Sequence, residues 1–349
     1  MDVVNAETSP SDRRGHGMTS INEFIILYGG YDYWSCAVRR ELWTYNTICR
    51  VWKLYQPPMD VSKACFASSI CAVDNLVYIF GGSCSPFASG STNSIVSFDI
   101  FKENWQIIFP HMDDDDQSTP PPMHGSLIFY LDKSLYIFGG FRRNVKSDKI
   151  YKFCLNTLTW SLVTQNGPRP FLDHRIFGTV FENRLYTFGG AIPRTSRFRK
   201  VKIFDFINNT WVIKATKSKT QLYPSERTDE SFEFSNNCGY MSGGMSSTQL
   251  YSDIWKIDLK TLEWTKLDYS LKSGVFSHCM SLVNYCYLYT FGGLGHHTDR
   301  PNAFQRFTIQ PPKLYHICLE FISNSPRRRT YIKYLPRSIV DELPFSKDN

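Results

Sequence analysis

No stretch of the 349 residues approaches the ~18 consecutive apolar positions that a membrane-spanning helix needs, so no membrane partner is expected. The opening residues, MDVVNAETSPSDRR, lack the apolar centre of a secretory signal. The ten cysteines (Cys36, Cys49, Cys65, Cys71, Cys84, Cys154, Cys238, Cys279, Cys286 and Cys318) include no close C-x-x-C pair. Most sit in apolar contexts such as CFASSIC at 65–71, where a thiol serves as a small hydrophobe in a reduced compartment. A cytoplasmic or nuclear location is the expectation, and zinc is poorly supported. Gly-x-Ser-x-Gly elbows, phosphate loops and HExxH are all missing. The histidine pair at 296–297 has no matching second pair, which a copper centre would need. Neither catalysis nor a cofactor is expected.

What the chain has in quantity is aromatic: 26 Phe, 20 Tyr and 8 Trp, a load suited to short strands with rings on pleated faces. Its formal charge is +7, with surplus concentrated at Arg142, Arg143, Arg197, Arg199, Lys200, Lys202 and the run Arg327 to Arg329. These clusters lack the interleaved aromatics of a base-stacking platform, so solvated faces or an acidic protein partner fit better than nucleic acid. The acidic run 113–116, between an apolar stretch and the prolines at 120–122, reads as a loop.

A chain of this length would ordinarily divide into two or three domains. Self-similarity overrides that prior. Six segments share one core: ILYGG ending at 30, YIFGG at 82, YIFGG at 140, YTFGG at 190, YMSGG at 244 and YTFGG at 293. The second glycines are 52, 58, 50, 54 and 49 residues apart. After each of the first five pairs comes an element ending in tryptophan: Trp52, Trp105, Trp160, Trp211 and Trp264. Apolar residues alternate or run in short blocks broken by Asn, Asp, Gly and Pro, the pattern of antiparallel strands joined by turns.

Repeats near 50 residues with a Gly-Gly and a later Trp resemble kelch repeats, in which four strands make one propeller blade. The Trp-Asp endings of WD repeats and the Ser-x-Asp-x-Gly-x-x-Trp box of sialidases are absent. The expectation is an all-β, six-bladed kelch propeller over 13–310. Its glycines would permit close backbone approach or positive φ, and the Trp and the Tyr before the glycines would fill the space between blades. Upstream of the glycines, the spacing gives His16, His124, His174 and His278 one structural repeat position, which Glu230 fills in the fifth unit; Arg13 and Arg227 lie three residues earlier. The sixth unit lacks an outer strand. Either that blade stays three-stranded, or Val3-Val4 in the N-terminal tail (1–12) closes it.

After Pro311-Pro312 the periodicity becomes helical, over 311–349. Leu314, Ile317, Cys318, Phe321 and Ile322 mark one face of an amphipathic helix, Tyr331, Ile332 and Leu335 a second helical stretch, and Ile339, Val340 and Leu343 a third opened by Pro336. Leu314-x-x-x-Cys318-x-x-x-Ile322 resembles an elongin-binding box, although Lys313 stands where Ser, Thr or Pro is usual. Leu335-Pro336-x-x-Ile339-x-x-x-Leu343 resembles a cullin-2 box. GGYDYW with RRELWTYN (29–46), GGSCSPFASGSTNSI (81–95) and SDIWKIDLKTLEWTKL (252–267) extend the resemblance over 13–345, more loosely across 110–240. The chain is thus similar to kelch-repeat substrate receptors of cullin-2 RING ubiquitin ligases. That resemblance implies elongin B–elongin C and cullin-2 as partners, and substrate C-terminal tails, often ending in glycine, as ligands. The family has also been linked to stress-kinase signalling.

Propeller loops before the first strand and after the second gather at the channel mouth. A tail carboxylate calls for planar bidentate donors. Arg175 and Arg227 come first as candidates, then Arg13 and Arg142, with Tyr31, Trp34 and Phe87 as rim aromatics. Two readings stay open: a ligase receptor whose helices engage elongin and cullin, or a signalling or cytoskeletal scaffold whose helices cap the propeller. Whether Leu314 and Cys318 face solvent or the blades separates them.

Overall fold

A computed structural model describes residues 9–61, 64–87, 90–113, 117–142, 145–170, 175–189, 197–235, 237–295 and 304–342. Six antiparallel sheets form around one axis. Blade 1 runs through Gly17–Ile21, Phe24–Tyr28, Leu42–Asn46 and Val51–Tyr55. Blades 2 to 6 occupy 69–109, 127–163, 176–215, 231–270 and 279–308. Five blades have four strands, and the sixth has three among the described residues. The suggested closing strand at Val3-Val4 lies outside them. The first strand of each blade lines the channel, and the innermost strand of blade 6 packs beside that of blade 1, so the ring is shut.

The two-residue inner hairpins turn through residues with positive φ such as Asn22, Asp74 and Asp132. The outer hairpins are set by Asx turns: Asp99 Oδ1 accepts the N–H groups of Phe101 and Lys102, and Asp258 those of Lys260 and Thr261.

Blades are joined by two repeated devices. The first is the diglycine. Gly30 N–H donates to Cys65 O of the next blade, Gly82 to Met123 O, Gly244 to Val275 O and, across the seam, Gly293 to Arg13 O. A Cβ on Gly29 would stand 2.1 Å from Cys65 O, and one on Gly292 2.4 Å from Arg13 O. The second is an aromatic wedge. Each outer-strand tryptophan meets the aromatic that precedes the glycines of the previous blade. Trp105 lies 6.1 Å from Tyr28, Trp160 6.0 Å from Phe80, Trp211 5.3 Å from Phe138, Trp264 6.2 Å from Phe188 and Trp52 6.1 Å from Phe291. The exception explains itself. Blade 6 has no tryptophan strand among the described residues, and the residue before the glycines of blade 5 is Ser242, which shares a hydrogen bond with His278 of blade 6.

Among the described residues, three helices follow the propeller: α1 (Leu314–Asn324), α2 (Arg328–Ile332) and α3 (Arg337–Glu342). Helix α1 lies across the seam. Glu320 accepts hydrogen bonds from Arg50 of blade 1 at 2.6 Å and Arg306 of blade 6 at 2.8 Å, and Asn324 donates to Ile48 O.

Candidate functional site: the channel mouth and the first helix

Strand register fixes what surrounds the channel mouth. Two residues before the partner of each pre-glycine residue stand Gly15, Ala67, Gly125, Arg175, Asp229 and Ser277. One residue earlier are Arg14, Phe66, His124, Thr228 and Phe276, each bridged to its own post-glycine loop. These positions enclose a cavity of about 360 Å³, walled by Phe66, Phe141, Phe177 and Phe276. Deeper in the channel a second space of about 160 Å³ is lined by Ser69, Ser126, Ser231, Cys279 and Glu233, and burial pushes the Glu233 carboxyl up to about 8.

The arginines of the mouth divide into two kinds. Arg13 is 1% exposed. It donates to Glu41, to Gly29 O and to Ser11 O, and Glu41 also accepts from Trp43 Nε1. Arg227 repeats this arrangement in blade 5 with Asp253, Gly243 O, Ser225 O and Trp255, and stacks on Tyr251 at 3.6 Å. Arg197 is buried against Glu230 and Arg227 O. Arg14 and Arg175 face the cavity and form no ion pair among the described residues. Arg14 lies over Tyr31, with its Nε buried and lacking a hydrogen-bond partner among them; Arg175 lies over Phe177 and beside the Cys279 thiol.

The expected carboxylate ligands are therefore redistributed. Arg175 stands in the mouth, whereas Arg13 and Arg227 are committed to clamps inside their blades and cannot offer a fork to a ligand. Arg142 is exposed on the short ladder Phe141–Arg142 with Val145–Lys146. Tyr31 packs at the mouth against Phe66. Trp34 and Phe87 stand at the rim, 59% and 88% exposed. Arg14 was missed because Arg13 beside it matched Arg227 in spacing; strand alternation alone sends neighbours to opposite sides.

The histidine register also needs correction. His16 and His278 share one position with Ser68, Ser126, Ile176 and Glu230, while His124 stands two residues earlier, at the rim. His174 lies outside the described residues. His16 and His278 are wedged against Gly292 and Gly243 of the preceding blade. Burial holds both imidazoles neutral, His278 down to about 3, which fits packing and not proton transfer.

At the other end, the amphipathic stripe of α1 does not face the blades. Leu319, 3% exposed, packs on Ile48, with Ile322, Ile332, Leu335 and Ile339 around them. Leu314 is 74% exposed and Phe321 67%; Cys318 and Ile317 also face outward. Pro336 is exposed, and Leu343 lies outside the described residues. Glu320 and Asn324, pinned to the blades, set this rotation of the helix.

Among known proteins, the chain is similar to Kelch domain-containing protein 10 of rat, 24% identical over 89% of this chain and 79% of the relative. The human protein of that name is likewise 24% identical, over 89% and 73%. Bovine Kelch domain-containing protein 3 is 23% identical over 76% of this chain and 73% of its own length. The family model described as the KLHDC2/KLHL20/DRC7 Kelch-repeats domain matches residues 67–293. With six blades, diglycine joints and tryptophan wedges in place, the chain belongs to the KLHDC2/KLHL20/DRC7 Kelch-repeat domain family.

Proposed function

We propose that this propeller is a non-catalytic substrate-recognition subunit of an elongin–cullin-2 RING ubiquitin ligase, acting in the cytoplasm or nucleus. In this reading the mouth holds the C-terminal tail of a substrate, and the outward face of α1 enters elongin C. The observation that carries the ligase half is the exposure of Leu314 and Cys318 on a helix already anchored by its opposite face. Exposed apolar residues on an ordered helix cost solvation unless a partner covers them. The tail half rests on Arg14 and Arg175, two guanidiniums without ion pairs among the described residues, set above phenylalanine walls. A terminal carboxylate meets planar donors there, and the apolar walls strengthen the pairing by excluding water. Leu335 and Ile339, facing the helix cluster, would shape the cullin-facing module along with Pro336 and Leu343.

A scaffold reading draws on the same helix, because Leu319, Glu320 and Asn324 tie it to blades 1 and 6 as a cap. Co-purification with elongin B–elongin C and cullin-2 separates the two. The native chain should retain elongin, and a Leu314→Ala, Cys318→Asp double variant should lose it while melting at the native temperature. Elongin retained by neither chain, with both folded, would leave the scaffold reading in possession.

A further inference from the structure

The mouth is not uniformly basic. At its innermost repeat position four blades place small residues, Gly15, Ala67, Gly125 and Ser277, and two adjacent blades place Arg175 and Asp229. Both charged residues line the same cavity. Asp229 is exposed, holds φ at 55°, and its backbone oxygen accepts from Ser277 N–H of the next blade at 2.8 Å. Its carboxylate has no hydrogen bond or ion pair among the described residues, whereas the adjacent Glu230 is taken by Arg197. A non-glycine residue in the left-handed region costs about 1–2 kcal/mol, and here that backbone is held by the neighbouring blade.

One carboxylate sharing a cavity with two arginines that form no ion pair among the described residues disfavours a polyanion. It suits a ligand carrying an N–H donor close to its own carboxylate. Every peptide chain end has this arrangement, since the last amide nitrogen is two bonds from the carboxylate carbon. We propose that Asp229 is a specificity-determining residue that accepts a backbone N–H from the last two residues of a bound tail, while Arg14 and Arg175 hold the terminal carboxylate. This rests on the tail-reading function proposed above. It makes the site selective for peptide ends over phosphate groups, whose negative charge comes without an adjacent donor.

The test uses the full chain and fluorescent ten-residue peptides ending in glycine with a free carboxylate. Companion peptides carry an ester in place of the last or the next-to-last amide, which removes one N–H each. One ester peptide should bind the native chain about tenfold or more weakly than the amide, the scale of a hydrogen bond to a charged acceptor. Asp229→Ala should bind amide and ester alike. Asp229→Asn, which tolerates the left-handed backbone and keeps an uncharged acceptor, should retain a reduced difference. Equal binding of amide and both esters to the native chain overturns the role of Asp229. So does an Asp229→Ala chain that gains affinity for peptide and for inorganic phosphate by the same factor, because the carboxylate would then only offset charge. No binding of any free-carboxylate peptide to the folded native chain overturns the tail reading, and the role of Asp229 with it.

Discussion

Arg13 and Arg14 are neighbours with opposite fates, and the difference is strand alternation. Arg13 points into its own blade, where Glu41, Gly29 O and Trp43 complete a buried network. Removing the cation from such a network leaves a buried carboxylate and a carbonyl without their donor, a loss of about 3–5 kcal/mol. Arg13→Ala should therefore lower the melting temperature markedly. Arg175→Ala should melt within about 0.5 kcal/mol of native, as substitutions away from buried networks do, yet lose binding of free-carboxylate peptides. Thermal melts and peptide titrations on both variants check this. An Arg13→Ala chain that melts like the native one would mean the clamp contributes little, and undiminished peptide binding by Arg175→Ala would put the carboxylate seat elsewhere.

Helix α1 was legible as an amphipathic element, but its orientation was not. The stripe of Leu314, Ile317, Cys318, Phe321 and Ile322 satisfies the spacing of a core-facing helix, and only Ile322 of that set turns toward Ile48. What holds the helix is Leu319, in contact with a turn of blade 1 that is remote in sequence, and a Glu320 bridge to two blades. The ion pairs are partly exposed and worth at most about 1 kcal/mol each, so Leu319 dominates. Leu319→Ala should cost about 2–4 kcal/mol of helix docking, and Leu314→Ala almost nothing. Hydrogen exchange should show protection across 314–324 and the 47–50 turn falling in the first variant only. Unchanged protection in the Leu319→Ala chain would show that other contacts seat the helix.

The whole ring depends on its seam. Toward blade 5, blade 6 lacks a tryptophan strand among the described residues; toward blade 1 the Trp52–Phe291 wedge is in place, and four further contacts join the two blades. These are the Gly293 to Arg13 hydrogen bond, Ser20 to Leu282 O at 2.7 Å, Cys279 to His16 O at 3.1 Å, and the cluster of Trp52, Tyr45 and Phe304 rings. Gly292→Ala would put a Cβ 2.4 Å from Arg13 O at a φ of 72°, adding a backbone clash to left-handed strain. Gly125→Ala, at φ 67°, meets only the Phe141 ring at 3.5 Å and carries the strain alone, about 1–2 kcal/mol. The Gly292 variant should be the less stable of the two by about 1 kcal/mol or more, read from urea midpoints. Equal midpoints would mean the seam yields without cost.

Blade number, strand succession, the diglycine joints and the tryptophan wedges could all be read along the chain. Each is written locally, by a period of two and a recurring spacing, and six copies reinforce one another. The helices at 314–342 were legible from a helical spacing of apolar residues, without repeated copies to reinforce it. Three matters were decided only by tertiary structure. Register separated His16 and His278 from His124, although their distances to the glycines look alike. Clamps within blades 1 and 5 buried Arg13 and Arg227 and left Arg14 and Arg175 at the mouth. Contact between Leu319 and Ile48 turned the most apolar stripe of α1 outward. In each case the outcome rests on a partner far away in sequence, and periodicity specifies a face without specifying what that face will meet.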